Sequence, residues 1–176
     1  MPSRARKILP AMMLGIALID QAEADQKFTF GQHVVEAIDA NHSVMLLISG
    51  KIGPYGEGSF SVQCFLEYKD GLAMRFATPS FSEKFKSPAT VTVWSDQADP
   101  VDIGVTPFPD GVTAAAITQN KSDGAAKSAT ALLGILSGAK GFIAFSAGGS
   151  TSTINTTNLS AALSRFKALC GNNLPT

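Results

Sequence analysis

Residues 157–170, TNLSAALSRFKALC, form the pattern that most limits what this chain can become. Leu159, Ala162, Leu163, Phe166, Leu169 and Cys170 recur at i, i+3, i+4 and i+7, so a helix here carries one apolar face. Asn158 stands at the N-cap, Ala161 and Ala162 favour the helix, and Gly171 stops it. Ser160, Ser164, Arg165 and Lys167 fall mostly outward, with the two cations late in the helix, where its dipole favours them. An apolar face must lie on something, and the preceding chain reads mostly as strand. Cys170 ends that face.

The only other cysteine, Cys64, lies in Ser59–Tyr68, where Phe60, Val62, Cys64 and Leu66 share one side and Ser61, Gln63 and Glu67 the other. Cys64 therefore points into the core, within reach of the closing helix, and a Cys64–Cys170 disulfide is expected. Closing a loop of about 100 residues stabilises by roughly 4–5 kcal/mol on the loop-entropy argument.

Further strands are read at Ser43–Ile52, Leu72–Ala77, Ala89–Ser95, Val101–Val105 and Val112–Thr118, and in a hairpin of Gly141–Ala147 and Thr151–Thr156 around Gly148-Gly149. Asp70-Gly71 and Asp110-Gly111 mark turns, and Asp96–Pro100 reads as a polar link. Phe28–Asp39 is ambiguous, with a first strand followed by a short helix as one reading. Ala126–Ser137 reads as a helix with Ala129, Leu132, Leu133 and Leu136 inward and Gly138 as its cap. The fold class is mainly β, a β-sandwich-like antiparallel meander with two helices, the second closing the C-terminus.

The first 24 residues carry a different message. Arg4, Arg6 and Lys7 precede an uncharged run from Ile8 to Ile19 and an Ala22-Glu23-Ala24 site, the order of a secretory signal peptide. The run is shorter than the roughly 20 apolar residues a membrane-spanning helix needs. The expected organisation is a signal peptide at 1–24 and a single exported domain at 25–176, with no integral membrane segment in the mature chain. Export into an oxidising compartment, periplasmic or secreted, suits a disulfide. Across the whole chain 14 Lys and Arg balance 14 Asp and Glu, with no cluster of one sign, so no electrostatic footprint for nucleic acid appears.

Residues able to do chemistry are sparse. His33 and Glu36 sit one helical turn apart and could supply two metal ligands, fewer than a site needs. Asp96, Asp99 and Asp102 are spaced like loop oxygen ligands but lack the glycine and terminal glutamate of a calcium loop. Gly148-Gly149-Ser150 suits a hairpin turn better than an oxyanion loop, and Trp94 reads as core. No nucleophile elbow, phosphate loop or dinucleotide motif occurs. No catalytic, metal or cofactor residue is assigned, and the chain reads as no enzyme.

The C-terminal third runs LLGILSGAKGFIAF at 132–145, STINTTNL at 152–159 and Ala161-Ala162-Leu163, ending at Cys170. This order resembles small exported bacterial proteins of the invasion-associated locus B type. It is also similar to the TagO-like periplasmic proteins associated with type VI secretion. In both, a short helix and turn precede a strand, and a second strand leads into a closing helix. Asn158 stands where those families usually carry glycine. The resemblance implies an exported β-sandwich-like domain with an envelope, host-interaction or secretion-accessory role. The reading is a non-enzymatic binding or accessory module with an unknown protein partner in the envelope or host. The alternative is a small-ligand carrier or enzyme whose site is built from dispersed loop residues of Gly53–Gly58, Thr78–Pro88 and Pro107–Gly111. A binding module predicts an exposed patch carrying Phe81, Phe85 or Phe108; a carrier predicts a deep apolar pocket; an enzyme predicts a polar cleft that includes His33 or His42.

Overall fold

The computed structural model describes residues 25–50, 58–68, 71–77, 89–109, 113–118, 124–147 and 149–175. The stretch at 1–24 read as a signal peptide, residues 53–57 of the first loop, the loop at 78–88 with Phe81 and Phe85, and residues 110–111 lie outside them.

The chain begins with a hairpin. β1 (Gln26–Phe30) and β2 (His33–Ile38) pair antiparallel across a two-residue turn at Gly31-Gln32. The later part of Phe28–Asp39, read as able to form a short helix, is therefore a strand, and only a 3₁₀ turn at Asp39–Asn41 follows it. Gly31 takes φ +62°, a left-handed conformation that glycine enters without penalty. β3 (Ser43–Gly50), β4 (Gly58–Phe65) and β5 (Leu72–Ala77) continue the meander. β4 ends at Phe65, so Leu66 leaves the strand and is exposed rather than sharing the inward face.

The next strands are β6 (Ala89–Ser95), β7 (Ala98–Pro107) and β8 (Thr113–Thr118). They form a second meander laid down in reverse, because β8, not β6, pairs with β5. The polar link expected at Asp96–Pro100 is mostly strand; the turn is Asp96-Gln97 alone. Pro100 is tolerated because the β6–β7 register shifts between Val93 and Ser95, which frees the backbone there from strict pairing. β9 (Phe142–Ala147) and β10 (Ser150–Asn155) form the last hairpin, with Gly149 in its turn, and β9 pairs with β6. The result is one ten-stranded antiparallel sheet in the order β1-β2-β3-β4-β5-β8-β7-β6-β9-β10.

The sheet folds back on itself, giving the sandwich-like shape. β10 packs across on β3 and β4. Phe145 of β9 lies 6.1 Å from Phe60 of β4 and 5.7 Å from Phe76 of β5, ring centre to ring centre. Gly58 permits the closest approach: a Cβ there would fall 2.6 Å from the Ser152 hydroxyl and 2.7 Å from the Ser152 Cβ.

Two helices fill the concave side. α1 (Gly124–Gly138) covers β5 to β8, and buries Ala126, Ala129, Leu132, Leu133, Ile135 and Leu136. α2 (Leu159–Cys170) covers β1 to β3 and buries Leu159, Ala162, Leu163, Phe166 and Cys170. Full burial of each large apolar side chain contributes about 1.5–3 kcal/mol, so the α2 stripe is a major part of the core. Asn158 holds the N-cap position without a side-chain hydrogen bond, so its role is conformational: it takes φ +65°. Asparagine tolerates that left-handed conformation second only to glycine, which accounts for Asn at a position where glycine is also usable. Gly171 ends α2 with its N–H on the Lys167 carbonyl.

The disulfide joins Cys64 of β4 to Cys170 at the last turn of α2, with the Cα atoms 6.1 Å apart and both side chains buried. Two expectations fail. Trp94 is half-buried on the face opposite Val93 and Ser95, beside Ala144 of β9, and is not in the core. Arg165 is tucked in rather than outward, its guanidinium 4.0 Å above the Phe28 ring of β1. Lys167 does face out, and its Nζ donates to Ser137 of α1 at 2.9 Å. Among the described residues no helix is long and apolar enough to cross a membrane.

Candidate binding surface

The β4–β5 turn is built from short backbone bonds. Tyr68 N–H donates to the Phe65 carbonyl at 3.2 Å, Gly71 N–H to Tyr68 at 3.1 Å, and Leu66 N–H to His42 at 2.7 Å. That winding turns Leu66 and Tyr68 out of the domain, 41% and 64% exposed, and sets Tyr68 edge-on to Phe65 at 6.5 Å. Beyond the turn, the outer faces of β5 and β8 carry further exposed side chains. Leu72, Met74 and Phe76 point inward, so Ala73 and Arg75 point out; Ala114 and Ala116 point inward, so Ala115 and Ile117 point out. Pairing places Ile117 opposite Ala73 and Ala115 opposite Arg75. Phe108, just after β7, sits beneath the Arg75 guanidinium at 5.7 Å, a cation–π contact that holds the ring on this face.

Among the described residues the exposed large apolar side chains are Tyr68, Leu66, Ile117 and Phe108, all more than a third exposed, with Arg75 over Phe108. Exposed aromatic and aliphatic side chains beside an arginine have the composition of protein-binding surfaces. Of the three phenylalanines singled out from sequence, Phe108 is one of these. Leu66, Tyr68 and Ile117 were not identified. TAAAIT holds four apolar residues in a row, so its sequence does not mark the inward face, and hydrophobicity argues for burying isoleucine, whereas the inward positions are Ala114 and Ala116.

The polar candidates are dispersed. His33 and Glu36 lie three apart on a strand, hence on opposite faces, and cannot share a metal ion. His33 is fully buried at the start of β2, while His42 is exposed beyond its other end. Asp96 sits in the β6–β7 turn, where its two oxygens accept the N–H groups of Lys140 and Gly141 at 3.1 and 3.0 Å. Desolvation at the turn pushes its carboxyl up; the bonds from Lys140, Gly141 and Gln97 outweigh that and hold it below the ordinary carboxylate range. Asp102 accepts the Thr92 hydroxyl at 2.6 Å and Asp99 is exposed, so the three aspartates form no ligand set. Among the described residues no three His, Cys, Asp or Glu side chains cluster as a metal site would need. Gly149 belongs to the hairpin turn, not to an oxyanion loop.

No protein-family model, curated protein or solved structure matches the chain.

Proposed function

We propose that this protein is a non-enzymatic binding or accessory module of the bacterial envelope, exported to the periplasm or secreted, where it engages a protein partner. The observation that carries this reading is the outer surface of Tyr68, Leu66, Ile117, Phe108 and Arg75, where a binding module would place its contacts. The buried Cys64–Cys170 bridge supports an oxidising compartment. The signal-peptide pattern at 1–24 supports export, and the likeness of the C-terminal third to the invasion-associated locus B and TagO-like proteins supports an envelope or host-facing role.

The test is fractionation of the native cell followed by intact mass and co-sedimentation with envelope fractions. The expected product starts at Asp25, is two hydrogens lighter before reduction than after, and sediments with an envelope component. The pair Tyr68→Ala with Ile117→Ser should release it with the folding transition unchanged, since both side chains are exposed. A cytoplasmic protein that keeps Met1, or association indifferent to this pair, would overturn the reading.

A further inference from the structure

His33 is the buried polar side chain the fold leaves most exposed to a change of conditions. It is 0% exposed, and neither ring nitrogen has a hydrogen-bond partner among the described residues. It stands at a seam between separately built parts of the domain. On one side is the β1–β2 turn; on the other are the end of β10 and the start of α2. Two contacts close the seam beside it. Gln32 Nε2 donates to the Asn155 carbonyl at 3.0 Å, and the Asn158 amide nitrogen lies 3.0 Å from the point a Cβ on Gly31 would occupy. The carbonyls of Thr157 and Asn155 approach the imidazole without completing a hydrogen bond, and the second already serves Gln32.

Charged groups near the seam do not compensate. β3 and β10 carry no charged residue. On β1 Lys27 is exposed, and on β2 Glu36 points to the opposite face. On α2 Arg165 lies over Phe28 and Lys167 reaches Ser137. The inner row of α2 is apolar from Leu159 to Phe166. A proton on His33 would thus place a cation in a buried site with no anion among the described residues, next to a helix N-terminus that repels it.

We propose that the β1–β2 turn is an acid-released flap, held against β10 and α2 only while His33 is neutral. Opening would let water reach the charged ring and separate Gly31-Gln32 from Asn155 and Asn158. The far end of α2 stays anchored by Cys64–Cys170, so the movement is confined to the start of the helix and the hairpin turn. Burial holds the His33 imidazole below its ordinary value of 6.5, the Thr157 and Asn155 carbonyls opposing it only in part. The open form takes up a proton near pH 6.5 and the closed form does not. Neutral His33 therefore supports closure fully above pH 6.5, and that support is lost as pH falls from there towards the lowered value.

The experiment is hydrogen exchange of the full chain between pH 7.5 and 5, corrected for intrinsic rates, with the His33 imidazole followed by NMR. Protection at Phe30–Val35 and at the first turn of α2 should fall by up to roughly tenfold per pH unit below 6.5, while β4 and β5 keep theirs. His33→Phe, and His33→Gln if the first does not fold, should abolish the step, and His42→Asn should leave it. Seam protection independent of pH, an equal loss throughout β4 and β5, or a step that survives both His33 variants overturns the proposal. Should neither variant fold, the wild-type ring decides: titration at or above pH 6.5 refutes the flap, and titration below it together with the local loss supports it.

Discussion

Removing both cysteines tests the reasoning about the closing helix most directly. The bridge spans a sequence separation of 106. Applying −2.1 − 1.5R ln n to a loop of that length gives about 16 cal/mol/K, or about 4.8 kcal/mol at 298 K, for the unfolded state's lost freedom. The paired variant Cys64→Ala with Cys170→Ala is preferable to serine, because both sites are buried and a serine hydroxyl there would add about 1–3 kcal/mol for an unpaired polar group. For a chain of this length, each kcal/mol moves Tm by about 2–4 °C, so the variant should melt about 10–20 °C lower. The assay is urea denaturation and calorimetry of oxidised protein, of the double-alanine variant, and of wild type equilibrated with reductant through its transition. Reductant must act through unfolding, since both cysteines are buried. The reduced wild type should fall to the variant's level. Damage in the native state should be local: hydrogen-exchange protection should drop at 166–173, the end of α2, more than at Leu159, whose end of the helix is held by the seam with Gly31-Gln32. A variant within about 1 kcal/mol of wild type would refute the entropy argument, because even the 15-residue loop value of about 3 kcal/mol would then be too large. Equal loss at both ends of α2 would refute the local part.

Three further outcomes follow from single contacts. Gly58→Ala should cost about 1–3 kcal/mol in urea denaturation, because its Cβ would strike Ser152 at 2.6 Å and Phe145 at 3.0 Å; adding Ser152→Gly should recover part of the loss, and an unaffected single variant would mean β10 does not close over β4. Asn158→Gly should be near neutral, whereas Asn158→Ala should lose about 1 kcal/mol from the left-handed backbone at φ +65°; equal midpoints for the two would contradict that conformation. Asp96, held below the ordinary carboxylate range, contributes stability above about pH 4 that is lost as pH falls through its lowered value. Wild type and Asp96→Asn should thus differ in Tm at neutral pH and converge in acid, and parallel pH curves would contradict the Asp96 bonds to Lys140 and Gly141.

Local periodicity carried much of the fold. β6 alternates from Ala89 to Val93, with Trp94 outward and Ser95 inward breaking the hydrophobic order at its end, and its limits, Ala89–Ser95, are those the sequence predicts. α2 buries five of the six side chains its pattern selects, with Leu169 only half-buried. Cys64 and Cys170 end on inward faces, and their bond follows from those two patterns. These features depend on backbone geometry within a few residues, which the side-chain order records directly.

What needed the tertiary structure depends on partners distant in sequence. That β8 rather than β6 lies beside β5 rests on pairing between strands distant in sequence. Trp94 stays off the core and Ile117 outside it because the inward positions beside them are filled, by Val93 and Ser95 and by Ala114 and Ala116. A strand pattern shows which residues share a face but not which face is inside. The candidate surface lies on the outer faces, where that choice matters, and so only Phe108 was legible beforehand. The isolation of His33 likewise arises where two hairpins and a helix meet, from parts of the chain more than 120 residues apart. The sequence by itself determined the alternating strands, the closing helix and the cysteine pairing, because each is a short-range steric and hydrophobic pattern. Tertiary packing alone decided the strand order, the outer surface and the His33 seam, because each is set by which distant side chains occupy the limited volume inside the folded sheet.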